Sequence, residues 1–353
     1  MTVYQLLPTA SPDTAIWHEV LEIKKIIQEL NFPTEIFAEN IHPELLSEVK
    51  PYRFCRAEKD DVVIYHYSIG SELNSFVLSL NCKLIMIYHN ITPAYFFDRF
   101  DDRLRFLTES GRKELKSFLN SNLSICIADS EFNKNELCNF GFKNVYVLPI
   151  ILNIKKYRDE ISNPKIKFGG DYKNFLFVGR IAPNKKIEDL IKLYFIYKRS
   201  VDSNVRLIIV GSYEENEYKK YYYTLNSFIN ELHLNDVFFT GKISFKDMVT
   251  IYRQSHIFIT MSEHEGFCVP LVEAMIFGVP IIAFNSTAIP ETLGDSGILV
   301  NKKNYTEIAE LVDIVLSDSL LRSRIIDKQY KRLSVFDTDK LKQTFIDIIR
   351  MVL

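Results

Sequence analysis

The chain of 353 residues predicts an α/β fold of two doubly wound domains. Three observations carry this. Short apolar runs alternate with amphipathic segments along its length. The runs are nearly continuous in Ile, Val, Phe and Tyr, which is how strands buried on both faces of a parallel sheet read. One charged stretch without apolar period, Ile151–Asn174 with Pro164 and Gly169-Gly170, parts the chain into pieces of domain size. The 47% hydrophobic content is enough for two cores.

In order along the first half, the expected strands are Val62–Tyr67, Lys83–His89, Leu123–Ala128 and Val145–Leu148. A second series follows at Phe175–Gly179, Arg206–Gly211, Val237–Thr240, His256–Thr260 and Pro280–Phe284. Helices are expected at Ile16–Leu30 and at Ile187–Lys198, where Ile187, Leu190, Ile191, Tyr194 and Phe195 keep the i, i+3, i+4 spacing of one buried face. Leu341, Phe345, Ile348, Ile349 and Val352 keep the same spacing in the closing segment Thr338–Leu353. The domains are therefore read as 1–151, 152–337 and a closing helix of 338–353. No repeat of 20–50 residues and no low-complexity tract interrupts this pattern.

Formal net charge is −2, which gives no reason to expect nucleic acid as a partner. Residues 1–151 hold 15 basic and 20 acidic side chains, and the remainder holds 28 and 25, so the second half is the better home for a phosphate-bearing ligand. Cys55, Cys82, Cys126, Cys138 and Cys268 form no Cys-x-x-Cys pattern, and free thiols in a reducing cytosol are expected. The first residues lack a basic region followed by a long apolar run, and no apolar run approaches the ~18–20 residues of a membrane span, so a soluble cytoplasmic protein is expected.

The most informative stretch is Glu265-Gly-Phe-Cys-Val-Pro-Leu-Val-Glu273. Glu265 follows an apolar strand, and Glu273 is expected in the first turn of a helix that Pro270 opens and Gly278 ends. N–H groups at such a helix start favour an anion. Two acids beside an anion-binding helix end suit a ligand with hydroxyls at its ends and phosphate in its middle, such as a nucleotide-sugar. Phe177-Val-Gly-Arg-Ile-Ala-Pro-Asn-Lys-Lys186 puts Arg180 and Lys185 beyond the carboxyl end of a strand, where ligands bind in open parallel sheets. There they can clamp a diphosphate or stand as two solvated charges. His89, in Tyr88-His-Asn-Ile-Thr-Pro93, has the same placement, and so has His66 one strand earlier. Either can meet a sugar hydroxyl or be a satisfied strand cap. Gly211 ends one strand and Thr240-Gly-Lys-Ile243 the next, near a base or phosphate or for steric reasons alone. Thr14, before the first helix, is a weak acceptor-side candidate or an ordinary helix cap.

Together these clusters resemble the retaining glycosyltransferases of family 4. Glu265 to Glu273 is similar to the family's E-x7-E signature, Gly179-Arg180 to Lys185 to its G-R-x-x-x-x-K diphosphate motif, and His89-Asn90 to its first-domain histidine motif. Ala128-Asp-Ser-Glu-Phe-Asn133 resembles its run before the interdomain linker. The resemblance covers nearly the whole chain. It implies the GT-B architecture, two Rossmann-like domains facing a central cleft with the closing helix returning to the first. It also implies roles. Arg180 and Lys185 would hold the donor diphosphate, and Glu273 the ribose. Glu265, with the backbone of Gly266, Phe267, Cys268 and Val269, would hold the donor sugar, which His89 would contact near the reacting carbon. Three positions depart from the family's habit: Cys268 and Lys186 stand where many members have glycine, and Pro12-Asp-Thr-Ala-Ile-Trp17 lacks the glycine-rich first loop.

The expected reaction is transfer of a sugar from a nucleoside-diphosphate-sugar to an acceptor hydroxyl with retained configuration, without metal or cofactor. The resemblance implies saccharide or lipid-linked saccharide acceptors in surface polysaccharide synthesis, at the inner face of the membrane. The competing readings are a sugar-nucleotide 2-epimerase of the same fold and a non-catalytic nucleotide-sugar-binding subunit. A nicotinamide dehydrogenase is disfavoured because no Gly-x-Gly-x-x-Gly follows a strand.

Overall fold

The computed structural model describes residues 1–353 except Asp13, Gly169, Glu214 and Glu215. Asp13 of the expected first loop and Gly169 of the expected linker thus lie outside the described residues. The chain forms two compact units, one of residues 1–95, 103–153 and 336–353, the other of residues 96–102 and 154–335. The excursion of 96–102 into the second unit left no mark in the apolar periodicity.

The first unit is a parallel sheet of β1 (Val3–Ala10), β2 (Thr34–Ile41), β3 (Val49–Pro51), β4 (Val62–Tyr67), β5 (Lys83–Tyr88), β6 (Leu123–Ala128) and β7 (Val145–Val147). Their order is β3-β2-β1-β4-β5-β6-β7. Strand β4 shows why the apolar runs are continuous. Val63, Tyr65 and Tyr67 enter one core with Leu73, Val77 and Phe118, while Val62 and Ile64 enter the opposite core with Ile23 and Ile27. The helices that cover these faces include α1 (Ala15–Glu29), α2 (Glu72–Ser79), α3 (Asp102–Glu114) and α4 (Glu131–Phe140).

The second unit starts with α5 (Ile154–Asp159) and holds β8 (Lys173–Val178), α6 (Ile187–Ser200), β9 (Val205–Val210), α7 (Asn216–Glu231), β10 (Val237–Gly241), α8 (Phe245–Arg253), β11 (Ile257–Thr260), α9 (Val269–Ile276), β12 (Ile281–Phe284), α10 (Ile289–Leu293), β13 (Ile298–Val300), α11 (Tyr305–Ser317) and α12 (Ser319–Arg332). Its sheet is also parallel, in the order β10-β9-β8-β11-β12-β13. The apolar stripe of α6 packs as its spacing predicts, with Ile187, Leu190, Ile191 and Tyr194 against Phe175, Leu207 and Ile209. Each such side chain, fully buried, stabilises by about 1.5–3 kcal/mol. The closing helix α13 (Thr338–Ile349) lies in the first unit, where Leu341, Phe345, Ile348 and Ile349 join the core that holds Ile23 and Ile27.

Both sheets run outward from a central strand and then return to its other side. The order reverses between β1 and β4 and between β8 and β11. Loops at the carboxyl ends of such strands diverge and leave a crevice, which is where open α/β sheets bind ligands.

Candidate active site

In the second unit the loops after β8 and β11 flank the reversal point. The first runs through Gly179 and Arg180 into a short 3-10 turn, Pro183–Lys185, and Lys186 takes a left-handed φ of 51° before α6 begins. A glycine, the residue the resemblance leads one to expect at 186, takes that conformation without strain. The two loops are stapled by Asn184. Its side-chain N–H donates to the His264 carbonyl at 2.9 Å, and its own carbonyl accepts the Glu263 N–H at 2.9 Å. The staple brings Lys185 Nζ to 2.7 Å from Glu265 Oε1 and 2.6 Å from Oε2, an ion pair with side chains only 15% and 9% exposed. The Glu265 N–H donates to Thr287 Oγ1 at 2.8 Å. Behind the pair, Lys303 Nζ bridges Asp189 and Glu263 at 2.7 Å each, and Tyr305 donates to Asp189 at 2.7 Å. Burial raises the Asp189 pKa, but the hydrogen bonds from Lys303, Tyr305 and Lys192 outweigh it, and the carboxyl titrates below its usual range.

Arg180 is exposed at the end of β8, with Nη1 3.0 Å from the Tyr218 hydroxyl and its guanidinium over that ring. Gly211, at the end of β9, has a steric reason to be glycine. A Cβ there would lie 1.9 Å from the Gly179 carbonyl oxygen, so the two strand ends approach backbone to backbone. Ile243 is half-buried in the loop after β10.

Gly266, Phe267, Cys268 and Val269 lead from Glu265 into α9. Cys268 is its N-cap residue, in the left-handed region at φ 75°, and no side chain caps this helix. Glu273 is the fifth residue of α9 and so lies one turn further in than the expected first turn. Its carboxylate is 5% exposed and held at both oxygens. The Tyr157 hydroxyl donates to Oε1 at 2.9 Å and the Tyr252 hydroxyl to Oε2 at 2.8 Å. Burial raises its pKa, and the two hydroxyl bonds only partly offset this.

In the first unit the structure joins the two histidines. His66, next to last in β4, is fully buried, and its Nδ1 lies 2.9 Å from His89 Nε2. The other nitrogens bond outward, His66 Nε2 to Gln5 Oε1 at 3.1 Å and His89 Nδ1 to Asp129 Oδ2 at 3.0 Å. The His89 side chain is 2% exposed, and both of its ring nitrogens are taken up by these partners. Its loop is pinned as well. Asn90 donates to Asn133 and Glu136 of α4, and Arg112 to the Ile91 carbonyl. Thr14 is a helix cap, with Oγ1 accepting from the Trp17 N–H at 3.2 Å.

Glu19, His66 and His89 bring three atoms able to bind a metal within 4.8 Å of one another. Two nitrogens each about 2.0–2.1 Å from one tetrahedral ion would stand roughly 3.3 Å apart. The observed 2.9 Å is a hydrogen-bond distance instead.

Among these partners, Gln5, Glu19, Asp129, Tyr157, Asn184, Tyr252 and Thr287 were given no role from sequence. Asp129 and Asn184 stand inside motifs already singled out, and that was the signal available for them.

Solved structures share this fold over the whole chain. HepE of Anabaena, in complex with UDP and glucose, has a TM-score of 0.77 over 99% of this chain and 100% of that one, at 17% identity. Sucrose-phosphate synthase of Thermosynechococcus elongatus has a TM-score of 0.78 over 100% and 99%, at 14% identity. The chain is thus a GT-B protein in fold, with two Rossmann-like parallel-sheet domains. Residues 158–332, just under half of the chain, match the family described as glycosyl transferases group 1. The capsular polysaccharide biosynthesis glycosyltransferase CapM of Staphylococcus aureus is 31% identical over 160 residues, 44% of this chain and 40% of that protein. An uncharacterised glycosyltransferase of Methanocaldococcus jannaschii is 27% identical over 249 residues, 68% of this chain and 60% of that protein. The matches span less than two thirds of the length of these relatives. Among the described residues no helix is long and apolar enough to cross a membrane.

Proposed function

We propose that the chain is a retaining glycosyltransferase that moves a sugar from a nucleoside-diphosphate-sugar to an acceptor hydroxyl in polysaccharide or glycoconjugate synthesis. The observation that carries this is the Lys185–Glu265 pair at the reversal point of the second sheet, with Arg180 beside it and α9 behind it. Lys185 and Arg180 match a diphosphate, and Glu265 and Glu273 match the hydroxyls of a sugar and a ribose. Relatives named as polysaccharide and O-antigen glycosyltransferases, and the UDP and glucose bound in HepE, support the same reading.

In this reaction the bond from the anomeric carbon to the diphosphate oxygen breaks, and a bond to the acceptor oxygen forms on the same face. The acceptor proton passes to the departing diphosphate. Positive charge develops on the sugar ring and negative charge on the leaving group. Arg180, the N–H groups at the start of α9 and Lys185, once the donor has replaced Glu265 at its ammonium, meet the negative charge, usually the largest catalytic term. The two cations do the work that a divalent ion would otherwise do. Glu265 and Glu273 fix the donor's two ends, and the E-x7-E spacing acts as a ruler for its length. His89 keeps the role beside the sugar that the resemblance implies. A saccharide or lipid-linked saccharide is the acceptor, met at the inner membrane face by a cytoplasmic protein.

The test is a panel of UDP-, GDP-, TDP- and ADP-sugars screened by thermal stabilisation. Transfer is then measured for wild type, Arg180→Ala and Lys185→Ala. Loss of ~100–1000-fold in kcat/KM is expected for each variant, the scale of removing one preorganised donor. Near wild-type values in both would sink the clamp. Conversion of the donor sugar without any acceptor, seen by NMR, would replace transfer by epimerisation.

A further inference from the structure

Gln5 of β1, His66 of β4, His89 after β5 and Asp129 after β6 form one hydrogen-bonded chain inside the first unit, with Glu19 of α1 beside it. The side chains of Glu19, His89 and Asp129 are 1–2% exposed, and Gln5 and His66 are completely buried. Water therefore does not settle where the protons are; the partners must.

The protons can be counted from the ends inward. The Gln5 amide nitrogen donates to the Val20 carbonyl at 3.0 Å, which turns its oxygen to His66 and makes His66 Nε2 a donor. At the other end the Asp129 carboxylate accepts from His89 Nδ1. Two neutral imidazoles hold two ring protons, and both are now used. Yet His66 Nδ1 and His89 Nε2 face each other at 2.9 Å, a distance two lone pairs do not tolerate. A third proton lies between them. The ring planes differ by 3°, and the 5.2 Å between centroids is what two ring radii added to an in-line 2.9 Å bond give. A linear, in-plane N–H···N bond has that shape.

We infer that Gln5 and His66 are positioning residues which, together with Asp129, hold His89 as an imidazolium with its Nε2 proton committed to His66, so that His89 offers the transfer reaction a fixed positive charge and no base. This rests on the reading of the chain as a glycosyltransferase and deepens it: the acceptor proton must go to the leaving diphosphate. The charge sits on His89 because the Asp129 carboxylate is bonded to it, whereas His66 faces no acid of its own. Glu19 Oε2 is 3.8 Å from its Nε2 and has no hydrogen-bond partner of its own. Burial alone would lower the His89 pKa, but Asp129 and Glu19 outweigh it and the pKa is raised; that of His66 is pushed far down by burial and by the His89 charge. Among the described residues, Glu19 of α1 and Asp129 after β6 are the titratable groups whose charges bear on the pair.

The test is 15N NMR of the full chain with labelled histidine, at neutral pH and without substrate. Two protonated nitrogens on His89, one protonated nitrogen on His66 and a scalar coupling across the N–H···N bond are expected. A neutral His89, or one equivalent of zinc in the purified protein, would overturn the inference. For function, His66→Leu removes the acceptor, whereas His66→Asn sets an amide oxygen close to the place of Nδ1. His66→Leu should lower kcat roughly 10–100-fold with donor KM little changed, and shift the alkaline limb of the pH profile. His66→Asn should recover most of it. Equal loss in two folded variants, or an alkaline limb unmoved in His66→Leu, would overturn the positioning role. The NMR signature needs no substrate, so its absence in an active transferase defeats this inference alone, and its presence in a protein without transfer defeats only the function.

Discussion

Lys185 Nζ lies within 2.7 Å of both oxygens of Glu265, so the cation proposed for the diphosphate and the acid proposed for the sugar neutralise each other before any donor arrives. A donor must replace each partner of this pair. The pair is stapled by Asn184 on one side and Thr287 on the other, which keeps both groups in place without ligand.

Removing one partner should cost more stability than removing both. Lys185→Ala leaves a mostly buried carboxylate unpaired, at a cost of roughly 2–4 kcal/mol. At ~2–4 °C per kcal/mol for a domain of this size, Tm should fall by about 4–16 °C. Lys185→Met combined with Glu265→Gln should regain most of that loss by calorimetry, yet stay ~100-fold or more below wild type in kcat. A double variant no more stable than the single one would contradict the pairing.

Glu273 should make donor affinity depend on pH. Ribose hydroxyls donate to a carboxylate, so the ionised form binds. Burial raises its pKa. Donor Kd should therefore tighten as pH rises through and above the ordinary glutamate range. Glu273→Gln should bind more weakly and lose that dependence. Tyr157→Phe and Tyr252→Phe each remove a bond that favours the ionised form, so each should move the tightening to higher pH and cost about 1–3 kcal/mol. Calorimetric titration of donor or nucleoside diphosphate between pH 5 and 8 reads all four proteins.

These partners mark where the sequence stopped being legible. Strands β4, β5, β6, β8, β9, β11 and β12 stand within two residues of their expected bounds, because most of their residues are buried on both faces and the runs are uninterrupted. Strand β2 was missed because Glu35, Glu39 and Asn40 break its apolar pattern near the sheet's edge. Strand β1 was missed because Gln5 and Pro8 interrupt its run, and Gln5 is polar for the sake of His66. The positions of Arg180, Lys185 and Glu265 between strand and helix could be read from the sequence, and they lie there in the fold. Tyr157 stands 116 residues from Glu273 in the chain, and Gln5 stands 61 from His66. Only the fold brings such pairs together, and no local pattern announces them.

Glu19 should make the first unit less stable as pH rises. Its pKa is raised from 4.5 to about 8, by burial first, with the Asp129 charge adding and the His89 charge and an Ile151 backbone bond opposing. The folded state keeps a proton that the unfolded chain gives up. The stability is whole below the ordinary glutamate pKa of about 4.5 and is lost progressively as pH rises from there through the raised value. His89, also raised, adds a loss of the same sign at higher pH. Glu19→Gln should remove the first slope, so that it matches wild type near pH 4.5 and exceeds it at pH 7.5 in urea unfolding. Parallel stability curves for the two proteins would show that Glu19 ionises freely in the fold.

Cys268 tests whether backbone conformation sets the residue at the entrance to α9. Its φ of 75° costs an L-residue about 1–2 kcal/mol that glycine avoids. Cys268→Gly regains this, but it empties a site only 8% exposed and frees the unfolded chain, so its net change should stay within about 1 kcal/mol. Cys268→Val has a similar volume but a branched Cβ, which fits that region worst. It should lose ~2 kcal/mol or more. Because relaxation would turn the Gly266–Val269 backbone away from the start of α9, it should also weaken donor binding, which Cys268→Gly should leave near wild type. Urea unfolding and calorimetric titration of both variants separate the two terms, and equal stability of the glycine and valine proteins would mean that the left-handed turn at 268 places no demand on its residue.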